Sequence, residues 1–227
     1  MKNKTIWAAW LQGYKELKSE SPFHTSVICL EKWKTLNPDW SVNVISESEI
    51  SYYIPEYFQI IENSPERSVQ ARSDLIRILL LDKFGGLWVD ASCLPVQPLS
   101  EFYKKIMNES GFFAYRFSER NISHNCEIEI CSWFLCVDKP EHYLISSWKK
   151  SFIEKFCTYK TWPYYTFHAT LTELYDSDPK INNLINSMVQ LDQSIPHSAE
   201  KPNSWQDRAP SFVYKRPVRH KDWVNFC

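Results

Sequence analysis

The stretch SDLIRILLLDKFGGLWVDAS, Ser73 to Ser92, constrains the fold of this chain more than any other. Leu75, Ile76, Ile78, Leu79, Leu80 and Leu81 make a helix from Ser68 to Phe84 apolar nearly all round, so it must be buried. Ser68 is positioned as its N-cap, and Gly85 as the residue beyond its end that takes positive φ. Gly85 and Gly86 are two of only four glycines in the chain. They stop the helix sharply and let LWVDAS start a buried strand at once. Asp74 and Arg77 sit three residues apart on one helix face, with Gln70 one turn earlier. A lone Asp90 stands at the carboxyl end of the strand. Buried charges need partners, and a core helix followed by a core strand needs none of these three. One account is an internal Asp74–Arg77 pair tethering the helix to a loop. The other is a ligand site.

The rest of the chain places this unit in a sheet. TIWAAWLQG, Thr5 to Gly13, reads as a buried first strand ending in a Gly turn. SVICLEKWKTL has helical spacing at Val27, Leu30, Trp33 and Lys34, and Asn37-Pro38 stops it. WSVNVISE alternates as a second strand. SEISYYIPEYFQIIENSPE is one helix or two short ones, broken at Pro55 and Pro65. Strand, helix, strand, helix and strand in series predict an α/β fold with a mostly parallel sheet. In the second half GFFAYRF and EIEICSWFLCV read as strands. PEHYLISSWKKSFIEKF, YYTFHATLTELY and the weaker DPKINNLINSMVQLD read as helices, a helical C-terminal addition. The Pro-rich tail from Ser194 to Cys227 is expected to wrap the surface. With no repeat and no clean linker, residues 1–227 are expected to form a single domain, with halves at about 1–110 and 111–227.

Composition bounds the function. The net charge of −1 offers no bulk attraction for nucleic acid. The basic run YKRPVRHK, Tyr214 to Lys221, is the exception, and Pro217 keeps it from forming a long helix. The chain has 10 Trp, 12 Tyr and 13 Phe, enough rings to fill a core and still supply sugar- or base-stacking faces. The seven cysteines are odd in number and lack CxxC spacing, so they read as small buried hydrophobes in a reducing compartment. No run has the length of a signal peptide core or a membrane span. These readings point to the cytoplasm.

In an open α/β sheet, ligands bind beyond the carboxyl ends of the strands. Asp90 lies there, and Ser92 follows two residues on. Together they offer hard oxygen ligands for a divalent ion bridging phosphates, with a nucleotide diphosphate supplying the remaining ligands.

SDLIRILLLDKFGGLWVDAS resembles the signature of GT-A-fold glycosyltransferases with a DXD-type motif. It is most similar to the bacterial capsular polysaccharide synthesis proteins of glycosyltransferase family 32. IWAAWLQG, SVICLEKWKTLNPDWSVNVI, SWFLCVDKPEHYLISSWKKSF, YYTFHATLTELY, IPHS and FVYKRPVRHK resemble further blocks of that family, in the same order. The resemblance implies a GT-A-like fold and a retaining, divalent-metal-dependent hexosyltransferase. It implies a UDP-linked sugar donor, Mn²⁺ or Mg²⁺, and a glycan or lipid-linked glycan acceptor in capsular polysaccharide synthesis. A lipid-linked acceptor and the basic tail fit a peripheral place at the inner face of the membrane.

In similar enzymes, including the glucosylating domains of large clostridial toxins, the counterparts of Asp74 and Arg77 contact the donor. That of Asp90 is the first Asp of the DXD motif. The resemblance therefore implies catalytic roles for Asp74, Arg77 and Asp90, and places Trp7, Ala8, Trp10, Ser92 and Lys215 with them at the donor. Either Trp7 or Trp10 packs on the base, or both are core. Asp90, Ser92 and His197 are the implied metal set. Ser92 departs from the strict motif, where a second Asp would stand. His197, Lys215, Arg216, Arg219 and Lys221 either neutralise the diphosphate or are solvated surface. His168 and Trp133 are implied on the acceptor side, although a packed, hydrogen-bonded histidine is the other reading of His168. Two rivals remain. One is a catalytically decayed nucleotide-sugar-binding protein, motivated by Ser92. The other is a hydrolase using Glu127 and Glu129.

Overall fold

A computed structural model of the chain describes residues 4–13, 24–116, 130–193, Pro196 and 211–215. The elements run β1 (Thr5–Ala9), α1 (His24–Leu36), β2 (Ser41–Ile45), α2 (Glu47–Tyr53), α3 (Glu56–Glu62), α4 (Val69–Phe84), β3 (Gly86–Val89), β4 (Cys93–Pro95) and α5 (Leu99–Ile106). They continue with β5 (Phe112–Arg116), β6 (Ile130–Val137), α6 (Tyr143–Thr158), α7 (Thr166–Ser177), α8 (Pro179–Ser187) and β7 (Val213–Lys215).

Five strands form the central sheet in the order β2-β1-β3-β6-β5. β1 is parallel to both β2 and β3, while β6 is antiparallel to β3 and to β5. Four strands therefore run one way and β6 opposes them, the mostly parallel sheet that the sequence predicts. Its strands come from both halves of the chain.

Alternation along the strands sorts side chains into two cores. Trp7, Trp88, Leu135 and Val137 face a core built with α4, α6 and α7. Ile6, Ala8, Leu87, Val89, Phe134 and Cys136 face the other, where Leu30 and Trp33 of α1 and Leu99 and Phe102 of α5 close the layer. Cys29, Cys93, Cys131 and Cys136 are buried and Cys157 is half-buried, all outside any disulfide.

The central unit forms as its composition dictates. Ser68 caps α4 by accepting from the Ala71 amide at 3.2 Å. Gly85 takes φ 65° and donates its amide to the Leu81 carbonyl. Gly86 has φ 98°, and a Cβ there would lie 2.6 Å from the Thr5 carbonyl oxygen of the neighbouring strand. Gly86→Ala should cost more than ~1–2 kcal/mol, since the left-handed backbone strain is joined by overlap with a strand that cannot yield. Urea denaturation measures this, and an unchanged midpoint would refute it.

The segment ending at Pro65 takes the two-helix alternative, broken at Pro55. Two features depart from expectation. α5 is an element that the sequence reading misses. The described part of the tail, residues 211–215, also differs, because its centre does not lie on the surface. Phe212, Val213 and Tyr214 are buried, and β7 pairs antiparallel with β4. Phe212 stacks on Phe102 with ring centroids 4.0 Å apart. A three-residue strand carries too little periodicity to stand out within a Pro-rich segment, and its burial comes from α5, more than a hundred residues away.

Candidate active site

The carboxyl ends of β1 and β3 open onto a cavity of about 460 Å³. The chain leaving β1 contributes Ala9, Trp10 and Gln12 to its wall. The first turns of α4 bring Gln70, Ser73, Asp74 and Arg77, and the chain leaving β3 brings Asp90 and Ser92. Ser132 of β6, His168 of α7 and Lys215 of β7 complete the charged and polar lining.

Four charges form a chain across this wall. Arg77 is buried, and its Nη1 pairs with Asp74 Oδ1 while Nη2 donates to Asp90 Oδ1 at 3.1 Å. The same Asp90 oxygen accepts from Trp88 Nε1 at 3.1 Å. Asp90 Oδ2 accepts from Lys215 Nζ at 2.5 Å. The Arg77 guanidinium lies 5.0 Å from the Trp88 ring centroid and 5.4 Å from that of Phe167. Two aromatic rings thus hold the arginine while it joins α4 to the end of β3. The tether account of Asp74 and Arg77 is therefore incomplete. Their pair continues to Asp90 and Lys215 and borders open space.

The two carboxylates are driven apart in acidity. Burial raises Asp74 to about 6; Arg77 opposes this and the Asp90 charge adds to it. Burial also works against ionised Asp90, but Lys215 and Arg77 outweigh it and hold the carboxyl well below its ordinary range. Burial depresses Lys215, yet Asp90 more than reverses this and its pKa rises. Cys93, beside the site, is pushed by burial up to about 12, so it stays a thiol and not a thiolate nucleophile.

A pH test isolates Asp74. Its folded pKa lies above its ordinary 3.8, so the folded state holds the proton more tightly. That contribution to stability is complete below 3.8 and lost as pH rises through about 6. Asp74→Asn cannot ionise, so it should gain on the parent protein across that window, by up to ~3 kcal/mol. Paired urea denaturation at acidic and neutral pH gives the difference, and a pH-independent difference would contradict the assignment.

Asp74, Arg77, Asp90, Ser92, Trp10, His168 and Lys215 all border one cavity. Three other implied contacts need correction. Trp7 is core: its Nε1 donates to the Gly85 carbonyl at 3.0 Å, and its ring packs on Tyr53 and Phe84, leaving no face for a base. Ala8 is fully buried in the opposite core, and its neighbour Ala9 borders the cavity instead. Trp133 is buried and stacks on Tyr115 at 5.2 Å, while Ser132 faces the cavity. Ala8 and Trp133 are misses of strand parity: adjacent residues face opposite sides, and the true side depends on the layer covering each face. Trp7 shares its face with Ala9 but sits one pleat deeper in the core. His197, Arg216, Arg219, Lys221, Glu127 and Glu129 lie outside the described residues. The sequence reading also missed Trp88 as an Asp90 partner, although their two-residue separation along extended chain puts both on one side.

The donor set offers hard oxygens. Asp90 and Ser92 border the cavity, but Lys215 already holds Asp90 Oδ2. Among the described residues no cluster of three His, Cys, Asp or Glu side chains assembles for a metal. These residues fit an ion that brings further oxygen ligands with it, and do not form a complete cage.

The sequence profile described as "Capsular polysaccharide synthesis protein" matches residues 1–208. The O-glycosyltransferase braB of Annulohypoxylon truncatum is 29% identical over 99 residues, covering 39% of this chain. The chain spans only 23% of the length of that relative. Among solved structures, the PaToxG glycosyltransferase superposes with TM-score 0.54 at 14% identity, over 82% of this chain and 73% of its own. The galactosyltransferase LgtC, solved with donor and acceptor sugar analogs, gives TM-score 0.47 at 11% identity, over 97% and 91%. The GT-A-like architecture, a mostly parallel sheet flanked by helices, is the fold observed, and PaToxG shares it.

Proposed function

The chain belongs to the capsular polysaccharide synthesis protein family, and from that premise we propose that it is a glycosyltransferase. It moves a sugar from a nucleoside diphosphate, with uridine as the nucleoside, to a glycan or lipid-linked glycan acceptor, retaining the anomeric configuration. The observation that carries this reading is the charge chain Asp74–Arg77–Asp90–Lys215 on the cavity wall, at the carboxyl ends of β1 and β3.

In the transfer, the bond from the anomeric carbon to the diphosphate oxygen breaks and a bond to an acceptor hydroxyl oxygen forms. The electron pair of the broken bond leaves with the diphosphate, and the hydroxyl proton passes to the departing diphosphate oxygen on the same face of the sugar. The transition state carries oxocarbenium character, as in glycoside chemistry. Arg77, held between Trp88 and Phe167, has a fixed guanidinium, so it orients a donor without reorganising. Asp74 accepts from a ribose or sugar hydroxyl. Lys215 neutralises charge on the departing diphosphate, a stabilisation that grows as the bond breaks. Trp10, on the cavity wall where the chain leaves β1, packs on the base.

Mn²⁺ or Mg²⁺ held by Asp90 and Ser92 would supply Lewis-acid stabilisation of the diphosphate, with His197 as the further candidate ligand. Among the described residues no helix is long and apolar enough to cross a membrane. A peripheral place at the inner membrane face is part of the same proposal and rests on the basic tail.

The test is UDP release. The protein is incubated with a panel of UDP-sugars and Mn²⁺, and free UDP is measured with and without glycans. Release from one donor supports the reading. UDP binding by calorimetry without release from any donor would make the protein a nucleotide-sugar-binding module instead.

A further inference from the structure

Single exposed apolar side chains are ordinary on protein surfaces, so exposure of a ring means little without its position. Tyr164 is 72% exposed and lines the same cavity as Asp74, Arg77 and Asp90. Val69, the first residue of α4, is 53% exposed and also lines it. Tyr52 is more exposed than either and does not border this cavity. Two apolar side chains therefore stand at the mouth of a cavity whose wall is charged.

The ring packs against its neighbour, and the backbone that carries it is well fixed. Tyr165 meets it edge-on at 4.9 Å, and Tyr165 in turn meets His168 at 5.9 Å. The turn carrying it into α7 is fixed by Thr166 Oγ1 donating to the Pro163 carbonyl at 2.7 Å. One turn further, Phe167 packs under the Arg77 guanidinium and accepts at its carbonyl from Trp148 Nε1. Tyr164 is thus anchored by the segment that touches the charge chain. Trp10, in contrast, follows β1.

A pyranose ring has the complementary chemistry: an apolar C–H face and a rim of hydroxyls. An aromatic ring receives the first, and polar groups on the cavity wall receive the second. Gln70 and His168 border the cavity to serve the hydroxyls. A tyrosine ring with two side-chain torsions loses little entropy in doing so.

We propose that Tyr164, with Val69 beside it, is the platform on which the sugar ring of the acceptor sits. This rests on the transferase reading above and extends it to the class of acceptor surface recognised, a pyranose face. Tyr164 is a binding residue and takes no part in bond making.

Methyl β-glucoside and methyl β-galactoside are the probes, observed by saturation-transfer NMR with the protein and UDP present. The parent protein should show transfer to ring protons of at least one glycoside. Tyr164→Ala should weaken that binding about tenfold, the upper range of one aromatic contact, while UDP affinity by calorimetry stays unchanged. Tyr164→Trp should restore the glycoside signal, which a merely structural role would not predict. Undiminished glycoside binding in Tyr164→Ala overturns the proposal. So does an equal loss of UDP affinity, or a loss of affinity for UDP-glucose or UDP-galactose that UDP does not share, either of which would make the ring a donor contact, or the lack of any glycoside signal in the parent protein. Failure of the transferase reading appears separately, as the lack of UDP release from every donor, and the NMR result is read independently of it.

Discussion

Asp90→Asn should reduce sugar transfer by about 10²–10³-fold, the scale of losing one preorganised electrostatic group at a reacting centre. Asp90 is the hub of the charge chain, joined to Arg77 and Trp88 through Oδ1 and to Lys215 through Oδ2. Asparagine keeps the shape and, in one orientation, an oxygen for the Trp88 donor. It removes the negative charge that holds two cations in register and would ligate a metal. The change should fall mainly on kcat, because positioning at the diphosphate matters most as that group departs. The measurement is UDP release with the preferred donor, alongside circular dichroism to show the fold retained. Turnover within a few-fold of the parent in a folded variant would remove Asp90 from the reaction.

Arg77→Ala should be the most destabilising change in the site, costing about 3–5 kcal/mol as for breaking a buried ion pair from one side. Arg77 is buried, bridges Asp74 and Asp90, and packs between Trp88 and Phe167. Among the described residues, its removal leaves Asp74 with no ion-pair partner, in surroundings that already disfavour its charge. A guanidinium-sized gap also opens between the two rings. For a domain of this size, thermal unfolding should shift down by roughly 10 °C. Adding Asp74→Asn should recover part of the loss, since the uncompensated charge goes with it, and a double-mutant cycle measures that coupling. A loss below ~1 kcal/mol would mean that the bridge contributes nothing beyond a surface pair.

What was legible in the chain tracks the distance over which the cause acts. The capped helix, the glycine stop and the entry into β3 are all within twenty residues, and each follows from backbone conformation or period. The Asp74–Arg77 face was legible for the same reason. The resemblance to the capsular family rested on that same stretch. The resemblance implies Trp7, Ala8 and Trp133 at the site. Strand parity, read against the covering helices, turns Ala8 and Trp133 away from it, and Trp7 lies too deep in the core to reach it.

By itself the sequence determined the series of strands and helices, the buried helix with its glycine exit, and the three charges that a core could not use. Only the tertiary structure decided that Lys215, 125 residues from Asp90, completes the charge chain, because β7 reaches the site by pairing with β4. The same is true of Tyr164, brought to the cavity mouth by the segment entering α7. Local periodicity encodes which face of an element is apolar, since that is set by the geometry of a few consecutive residues. It carries no information on which distant charge or ring will meet that face, since that depends on how the layers close around the whole core.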